Sequence, residues 1–231
     1  NNLLTKTNLK STELGKSPSF SSTSEFELNE NNNIGFIAEY YRTKKNTSSN
    51  SDGENYMNDV LQNSYLQNQN LYGYNQNLGS NVFYKYYDKI KNKILNVNLG
   101  INYDSVSDTN DHIINYINNP IPLGTRVIAN NQNREYYLKV DYSQPIGKSG
   151  SQLEFGGKLD FKNNVTPYDY LNLTNNPWIN DNTRTNNFHY LDNLNSLYAS
   201  FSKTYFKKLE TRIGLRYEYI WYKLKQDVGS I

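Results

Sequence analysis

The chain has no cysteine, no long apolar run and almost no excess of charge of either sign. Without cysteine, disulfide scaffolds and thiolate metal sites are excluded. No apolar stretch approaches the ~18–20 residues that a membrane helix needs, and no basic start precedes an apolar stretch as in a signal peptide. With 24 basic and 22 acidic residues among 231, the net charge of +2 gives no electrostatic argument for a nucleic-acid partner.

The motifs on which many enzymes depend are also missing. No nucleophile elbow, Walker loop or dinucleotide-binding fingerprint is present. The two histidines, His112 and His189, fall in polar segments that we expect to be loops, and neither has a second ligand at a metal-binding spacing. We therefore expect no catalytic residue, no metal site and no cofactor, and we predict that the protein is not an enzyme.

Aromatic side chains are abundant: 22 Tyr, 9 Phe and 2 Trp occur in a sequence with only 36% hydrophobic residues. Disordered chains are poor in aromatic residues, so simple disorder is disfavoured. A chain that is polar on average can still form strands with one apolar face, because averaging over the two faces hides the apolar one.

Residues 93–104 show the dominant pattern, a strict alternation of apolar and polar positions. One parity holds Leu95, Val97, Leu99, Ile101 and Tyr103, and the other holds Asn96, Asn98, Gly100 and Asn102. A period of two places all the apolar side chains on one face of a sheet, whereas a helix would scatter them. The pattern predicts eight strands, over residues 20–28, 34–43, 71–87, 93–104, 133–143, 152–162, 194–203 and 209–222.

The connections between these strands alternate in length. Short polar turns are predicted at residues 29–33, 88–92, 144–151 and 203–208, and long loops rich in Asn, Ser and Asp at 44–68, 105–131 and 163–187. Bacterial transmembrane barrels combine short periplasmic turns with long extracellular loops, and their strands cross the membrane with ~9–11 residues. The sequence thus predicts an all-β fold, an antiparallel transmembrane β-barrel.

Charged side chains recur on the polar parity of two predicted strands. They are Glu154, Lys158, Asp160, Glu210, Arg212, Arg216 and Glu218. In a large barrel the apolar face contacts lipid, so we expect these residues to face the lumen. Four of them, Glu210, Arg212, Arg216 and Glu218, are spaced by multiples of two along one strand. These four would either contact a plug or a passing solute, or form cross-strand ion pairs that solvate the lumen; the polar lumens of such barrels favour the ion pairs.

Tyrosines and glycines carry further expectations. Tyrosines cluster near the ends of predicted strands, as at Tyr40 and Tyr41, which is typical of aromatic girdles at membrane interfaces, although tyrosine also has a high β propensity. Glycines inside strands predict bends, bulges or the close approach of a neighbour. These are Gly35, Gly100, Gly156, Gly157 and Gly214.

Trp178 lies in the last of the predicted long loops, directly after Pro177. An exposed tryptophan in a polar loop could stack on a sugar or anchor a partner. It could equally pack the loop against its neighbours, and the sequence leaves both interpretations open.

Two segments resemble a known family. "YYLKVDYSQPIGKSGSQLEFGGKLDFKNN", which begins at Tyr136, and "LYASFSKTYFKKLETRIGLRYEY", which begins at Leu197, are similar to strand–turn–strand units of the outer-membrane barrel of TonB-dependent receptors. "FELNENNNIGF", from Phe26, resembles an earlier hairpin of that domain. The matched motifs include a Pro-Ile-Gly-Lys turn at Pro145–Lys148 and Gly-Leu-Arg-Tyr-Glu from Gly214.

The resemblance implies a role in transport. Such receptors import a scarce nutrient through a plugged lumen, with energy from an inner-membrane TonB-type protein that acts on the plug. It further implies an outer-membrane location in a Gram-negative bacterium, contact with membrane lipid, a surface lipoprotein as a possible partner, and a small solute, oligosaccharide or peptide as ligand. Since the large plugged barrels have 22 strands, residues 1–231 are expected to form a partial barrel domain. The chain starts with Asn and ends Gly229-Ser230-Ile231 without the usual terminal aromatic residue, which suggests an internal or processed segment with a truncated end.

Two other hypotheses remain open at this point. A small closed barrel of eight strands with a structural or adhesive role predicts that the first and last strands pair with each other. A soluble carbohydrate-binding β-sandwich predicts a core packed between two sheets.

Overall fold

The computed structural model describes residues 3–147, 150–174, 177–206 and 209–228, and within these ranges the chain forms ten strands. They are β1 (Leu3–Lys16), β2 (Ser19–Asn29), β3 (Asn32–Met57), β4 (Val60–Asp88), β5 (Lys93–Tyr116), β6 (Leu123–Ile146), β7 (Ser151–Leu173), β8 (Trp178–Asn180), β9 (Asn186–Tyr205) and β10 (Leu209–Val228). No helix in the described part of the chain is long and apolar enough to cross a membrane.

All ten strands belong to one antiparallel sheet in the order β1-β3-β4-β5-β6-β7-β9-β10, with β2 also beside β3 and β8 beside β7. β1 and β2 occupy a single position, because β1 pairs with the far part of β3 and β2 with its near part. They are separated at Pro18, which has no N–H for the ladder but whose carbonyl accepts a hydrogen bond from the Arg42 amide at 3.0 Å. The sheet therefore has eight long strand positions and one short addition.

The eight predicted strands are confirmed. They fall, in order, within β2, β3, β4, β5, β6, β7, β9 and β10. β1 was not predicted, because its sequence has little alternation and all its residues are exposed on an edge of the sheet. Its ladder partners on β3 hold it in place.

The long connections differ from the prediction: the segments expected to be loops are mostly strand. β3 and β4 meet in a two-residue turn at Asn58 and Asp59, whose φ values of 49° and 66° suit a tight hairpin. Only residues 117–122 separate β5 from β6, and residues 174–185 between β7 and β9 include β8. Alternation did not reveal these extensions, since both of their faces are polar and a period of two is visible only where one face is apolar.

The short turns lie together along one edge of the sheet, here called the turn edge, and the long hairpins project from the opposite, distal edge. The turns are at residues 30–31, 89–92, between β6 and β7, and between β9 and β10. Gly147 and Gly150 have φ values of 65° and 68°, a conformation that glycine adopts readily, as expected for that turn. Lys148 of the predicted turn and the chain end Gly229-Ser230-Ile231 lie outside the described residues.

The sheet has no core of the kind that a globular protein needs. Phe83 is the one large hydrophobic side chain that is buried among the described residues, whereas Leu99, Leu197 and Leu215 are 54%, 66% and 83% exposed. No second sheet covers these rows in the described part of the chain, so the β-sandwich hypothesis is wrong. The closed eight-strand barrel is also contradicted, because β10 pairs with β9 and not with β1 or β2.

Candidate functional site

The strand register separates the side chains into two faces of opposite character. Residues directly opposite each other in a ladder share a face, so the register carries one face across the whole sheet. The face that contains Leu99 is the apolar face, and its neighbours in the same row are Val82, Leu138, Leu159 and Asn195. The other is the polar face. All seven charged residues singled out in the sequence lie on it: Glu154, Lys158, Asp160, Glu210, Arg212, Arg216 and Glu218.

The apolar face forms a band of limited height above the turn edge. On β5 the band runs from Leu95 to Tyr103, and on β6 from Ile146 to Tyr136. Such lengths match the about 25 Å apolar zone of a membrane barrel. Beyond it the apolar face becomes polar, so the distal hairpins extend past the predicted membrane span.

Glu154, Ser200 and Arg212 form a polar cluster that links three strands near the turn edge. The Arg212 guanidinium forms an ion pair with the Glu154 carboxylate and donates to Ser200 Oγ from Nη2 at 3.1 Å. The Ser200 hydroxyl in turn donates to Glu154 Oε2 at 3.2 Å. β7, β9 and β10 each contribute one residue, so the cluster is a cross-strand contact of the kind predicted.

A second cluster centres on Asp160, which is 4% exposed. Lys158 Nζ lies 2.6 Å from Asp160 Oδ2, and Lys162 Nζ lies 3.9 Å from the same oxygen. Lys162 also reaches Glu135 Oε1 at 3.6 Å, and Asn102 donates to the other oxygen of that carboxylate at 3.3 Å. The cluster connects β5, β6 and β7, while Asp160 Oδ1 is buried without a hydrogen-bond partner among the described residues.

The remaining predicted residues make simpler contacts. Arg216 Nη2 lies 2.6 Å from Glu218 Oε1, two residues along the same strand. Of the four residues considered for cross-strand ion pairs, Arg212 forms one, with Glu154, whereas Arg216 and Glu218 pair with each other along the same strand. Glu210 is exposed near the turn edge, opposite Thr204.

Sequence reasoning missed the polar residues that complete these clusters. Tyr198 donates a hydrogen bond to Asp141, which also pairs with Lys139 at 2.8 Å. Glu135 and Ser200 are equally part of the clusters and were not singled out. Each sits on the polar parity of its strand, which is visible in the sequence, but only the register brings them next to one another.

Glycines on the polar face accommodate aromatic rings from the neighbouring strand. The rings of Phe83, Tyr137 and Tyr198 occupy the space that a Cβ would take at Gly35, Gly100 and Gly156. Each pair is directly opposite in its ladder. The close approach expected at these glycines is therefore confirmed, although the sequence did not identify the neighbours.

Trp178 belongs to β8, which pairs with the distal end of β7. The Arg126 guanidinium lies 4.5 Å from the centre of the Trp178 indole ring. It also donates two hydrogen bonds, of 2.5 and 2.6 Å, to the Asp111 carboxylate. The hydrogen bonds that the guanidinium donates to the Asp111 carboxylate raise the pKa of Arg126 above its ordinary value. Trp178 thus packs against Arg126 of β6, two strand positions away, while contact with an external partner stays a prediction.

The two histidines lie in strands rather than in loops. His112 is on the polar face of β5 and His189 is on the apolar face of β9. Because these two faces are on opposite sides of the sheet, the two histidines cannot bind the same ligand. No three His, Cys, Asp or Glu residues come together as a metal site in the parts of the chain that the structure describes.

Comparisons with known proteins agree with this architecture. The family model for the outer membrane protein beta-barrel family matches residues 88–230. No curated protein matches the sequence. A chain from the structure of the FpvAI–pyocin S2 complex has a TM-score of 0.52 at 11% sequence identity; the match covers 94% of this chain and 39% of that one.

A bacterial polysaccharide outer membrane secretin is also similar over 89% of this chain and 90% of that one, but at 7% identity and a TM-score of 0.13 it supports no argument. The first match shows the fold alone, and this chain spans well under half the length of that protein. Since the family model covers more than half of the sequence, the chain belongs to the outer membrane protein beta-barrel family and is a protein of the Gram-negative outer membrane.

Proposed function

We propose that residues 1–231 form part of the wall of a larger, plugged barrel, and that the full protein is a TonB-dependent receptor that imports a scarce solute. One observation carries the proposal: the sheet has one apolar and one charged face, yet both of its edges are unpaired in the described part of the chain. An isolated open sheet would leave unpaired backbone groups in hydrocarbon, which membrane barrels avoid by closure. More strands are needed to close this one.

The size of the similar protein supports the same conclusion. The fold match covers nearly all of this chain but 39% of the chain from the FpvAI–pyocin S2 complex. A wall of eight strand positions is about a third of the 22 strands of the plugged transporters. The resemblance of the two strand–turn–strand segments to TonB-dependent receptors adds the functional class.

In this proposal the polar face lines the lumen. Glu154 with Arg212 and Asp160 with its two lysines would then present a hydrated, largely charge-compensated surface to the plug and to a passing solute. Their role would be binding and packing rather than catalysis. A TonB-type protein would act through the plug, and a surface lipoprotein and a small solute, oligosaccharide or peptide would meet the distal hairpins.

Conductance across planar lipid bilayers tests the proposal without knowledge of the ligand. The full-length protein is inserted, and the current is recorded before and after moderate urea is added to one side. A plugged barrel passes little current until urea loosens the plug, which unfolds before the closed barrel, and the current falls again when urea is removed.

A large current in the absence of urea would identify an open pore and contradict the plug. A protein that stays silent in urea while its barrel is intact would contradict the wide lumen. Matched variants Glu154→Gln and Asp88→Asn report on the lining: the first, on the polar face, changes the cation selectivity of the opened pore, and the second, on the apolar face, leaves it unchanged.

A further inference from the structure

The distal rim of the apolar face carries positive charge. On three strands, the first charged side chain on this face beyond the apolar band is a cation: Arg42 on β3, Arg134 on β6 and Lys223 on β10. On β5 and β7 it is an aspartate that lies farther from the turn edge, Asp111 and Asp169. We call Arg42, Arg134 and Lys223 the rim cations. All three are exposed.

The rim cations lack acidic partners. None of the three forms a salt bridge with a described residue, although nearby Lys225 pairs with Asp227 at 3.0 Å. The two arginines instead stack on tyrosines of neighbouring strands, with the guanidinium carbon of Arg42 4.7 Å from the Tyr74 ring centre. Arg134 lies 5.9 Å from the ring centre of its ladder partner Tyr103. Stacking orients a guanidinium without neutralising it, so the charge remains available.

The register places the rim cations at nearly the same height. Arg134 and Lys223 lie in one row, joined through Asn163 and Leu191. Arg42 lies one row farther from the turn edge, since its row passes through Gln132, two residues beyond Arg134. Each is three strand positions from the next, a separation of ~14 Å across the sheet.

The turn edge of the apolar face is arranged differently. There Lys93 is directly opposite Asp88 in the β4–β5 ladder, so this lysine has a carboxylate on the neighbouring strand. Lys203, whose Nζ lies 4.9 Å from the centre of the Tyr205 ring, has no carboxylate opposite it in either ladder. Among the described strand residues, this face thus carries one open cation at the turn edge and three at the distal rim.

We propose that the rim cations and their tyrosines bind the phosphorylated glycolipid headgroups of the outer leaflet. The argument is charge complementarity: cations at the edge of an apolar band meet the headgroup layer, and a guanidinium can donate two hydrogen bonds to one phosphate. Tyrosine rings suit the same layer. The inference rests on the proposed function in one respect, namely that the distal hairpins face outward.

The test measures glycolipid binding to the full-length protein, purified from outer membranes in detergent. Phosphorylated outer-leaflet glycolipid is titrated onto the protein, and the bound molecules are counted by native mass spectrometry. The triple variant Arg42→Gln, Arg134→Gln, Lys223→Gln is expected to bind about 100-fold more weakly, because each cation near an anionic surface contributes about fivefold. The charge-preserving variant Arg42→Lys, Arg134→Lys should keep most of the binding.

The matched control is the double variant Lys93→Gln, Lys203→Gln at the turn edge, which should bind as the unchanged protein does. A glycolipid stripped of its phosphates should bind the unchanged protein as weakly as the phosphorylated form binds the triple variant. Displacement of the glycolipid by millimolar inorganic phosphate would show a site for a soluble anion and overturn the lipid assignment. Equal binding by the triple variant, or equal loss in the control, would overturn the site itself.

Folding and transport are judged separately. Heat-dependent migration on a detergent gel reports whether each variant forms a barrel. If the triple variant does not fold, the comparison of phosphorylated with dephosphorylated glycolipid on the unchanged protein still tests whether binding depends on the phosphates. The urea-dependent conductance reports on the plugged lumen. Absence of that conductance with intact glycolipid binding would contradict the transport role and support the lipid site. Normal conductance without glycolipid binding would contradict the lipid site and support the transport role.

Discussion

The ring of Tyr137 occupies the space directly above Gly100, its partner across the β5–β6 ladder. Lys158 Nζ lies 5.4 Å from the centre of the same ring, so the tyrosine connects the glycine to the charged cluster on β7. A Cβ at position 100 would overlap the ring. Glycine thus lets a large aromatic side chain lie flat against the polar face.

This relationship makes Gly100→Ala a destabilising substitution. The added methyl group displaces the Tyr137 ring, and overpacking of this kind costs about 1–3 kcal/mol. Urea unfolding of the full-length protein in lipid vesicles, followed by tryptophan fluorescence, measures the loss. The cost should shrink when Tyr137→Ala is combined with it.

Gly15→Ala is the matched control, because the nearest atom to a Cβ there is the Lys44 carbonyl oxygen at 3.8 Å. We expect a change within about 0.5 kcal/mol. Equal destabilisation by both substitutions would mean that glycine acts through backbone flexibility rather than through the Tyr137 ring.

Lys158→Met should destabilise the barrel more than Lys139→Met. Both lysines neutralise a neighbouring aspartate on the polar face, but the Asp160 side chain is 3% exposed and that of Asp141 is 23% exposed. Asp141 also keeps the hydrogen bond from Tyr198. A buried carboxylate that loses its main partner costs about 1–3 kcal/mol, so the difference should be visible in the same unfolding experiment.

The second substitution Asp160→Asn, added to Lys158→Met, is expected to restore much of the stability, since it removes the uncompensated charge. Failure of this rescue would show that Lys158 stabilises the wall through the contact of its ammonium group with the Tyr137 ring, and not through the ion pair.

The sequence predicted the part of the wall that touches hydrocarbon and little of what lies beyond it. Between Leu95 and Tyr103 the membrane requires one apolar and one polar face, and this difference in polarity is visible in the sequence as alternation. From Ser105 to Tyr116 both faces meet water, so the same strand continues with no periodic signal. The polar clusters could not be predicted because they depend on which residues are opposite, as with Ser200 and Glu154, and a single strand carries no information about register.

Trp178 should become more accessible when Arg126 is replaced by alanine. The guanidinium covers the indole ring and is itself held by Asp111, so the substitution removes the cover. In the full-length protein with every other tryptophan, Trp221 included, replaced by phenylalanine, quenching by acrylamide reports the exposure of Trp178. Arg184→Ala, which removes the arginine 4.7 Å from the Tyr170 ring centre, is the control on the same connection. Equal quenching in all three proteins would mean that the Arg126 contact does not shield the ring.

The turn after β8 should open in acid because of Asp181. Hydrogen bonds from Thr183, and then from Asn172, lower the pKa of this carboxyl from its ordinary value of 3.8. A lowered folded-state pKa means that the stabilisation is fully present above 3.8 and is lost as the pH falls through the folded value. Protection of the Thr183 amide from hydrogen exchange should therefore fall below about pH 4.

Asp181→Ala should remove this acid-dependent change and leave the amide poorly protected at every pH. Asp169→Asn, on the neighbouring β7, is the control and should keep the profile of the unchanged protein. An Asp181→Ala variant that retained both the protection and its pH dependence would assign the effect to other groups of the turn.

The assignment of the two faces predicts opposite chemical accessibility for two residues on β9. Ser200, which is partly exposed, is on the polar face and Leu197 is on the apolar face, and the chain has no cysteine of its own. In cells that produce the full-length protein with the introduced cysteine as its single one, a charged, water-soluble maleimide should label Ser200→Cys once urea has loosened the plug. It should leave Leu197→Cys unreacted, because a charged reagent does not enter hydrocarbon. An uncharged, lipid-soluble maleimide should label Leu197→Cys, which shows that the thiol is present and reactive. Labelling of Leu197→Cys by the charged reagent would place the apolar band in water and contradict the face assignment on which the lumen and the lipid site both depend.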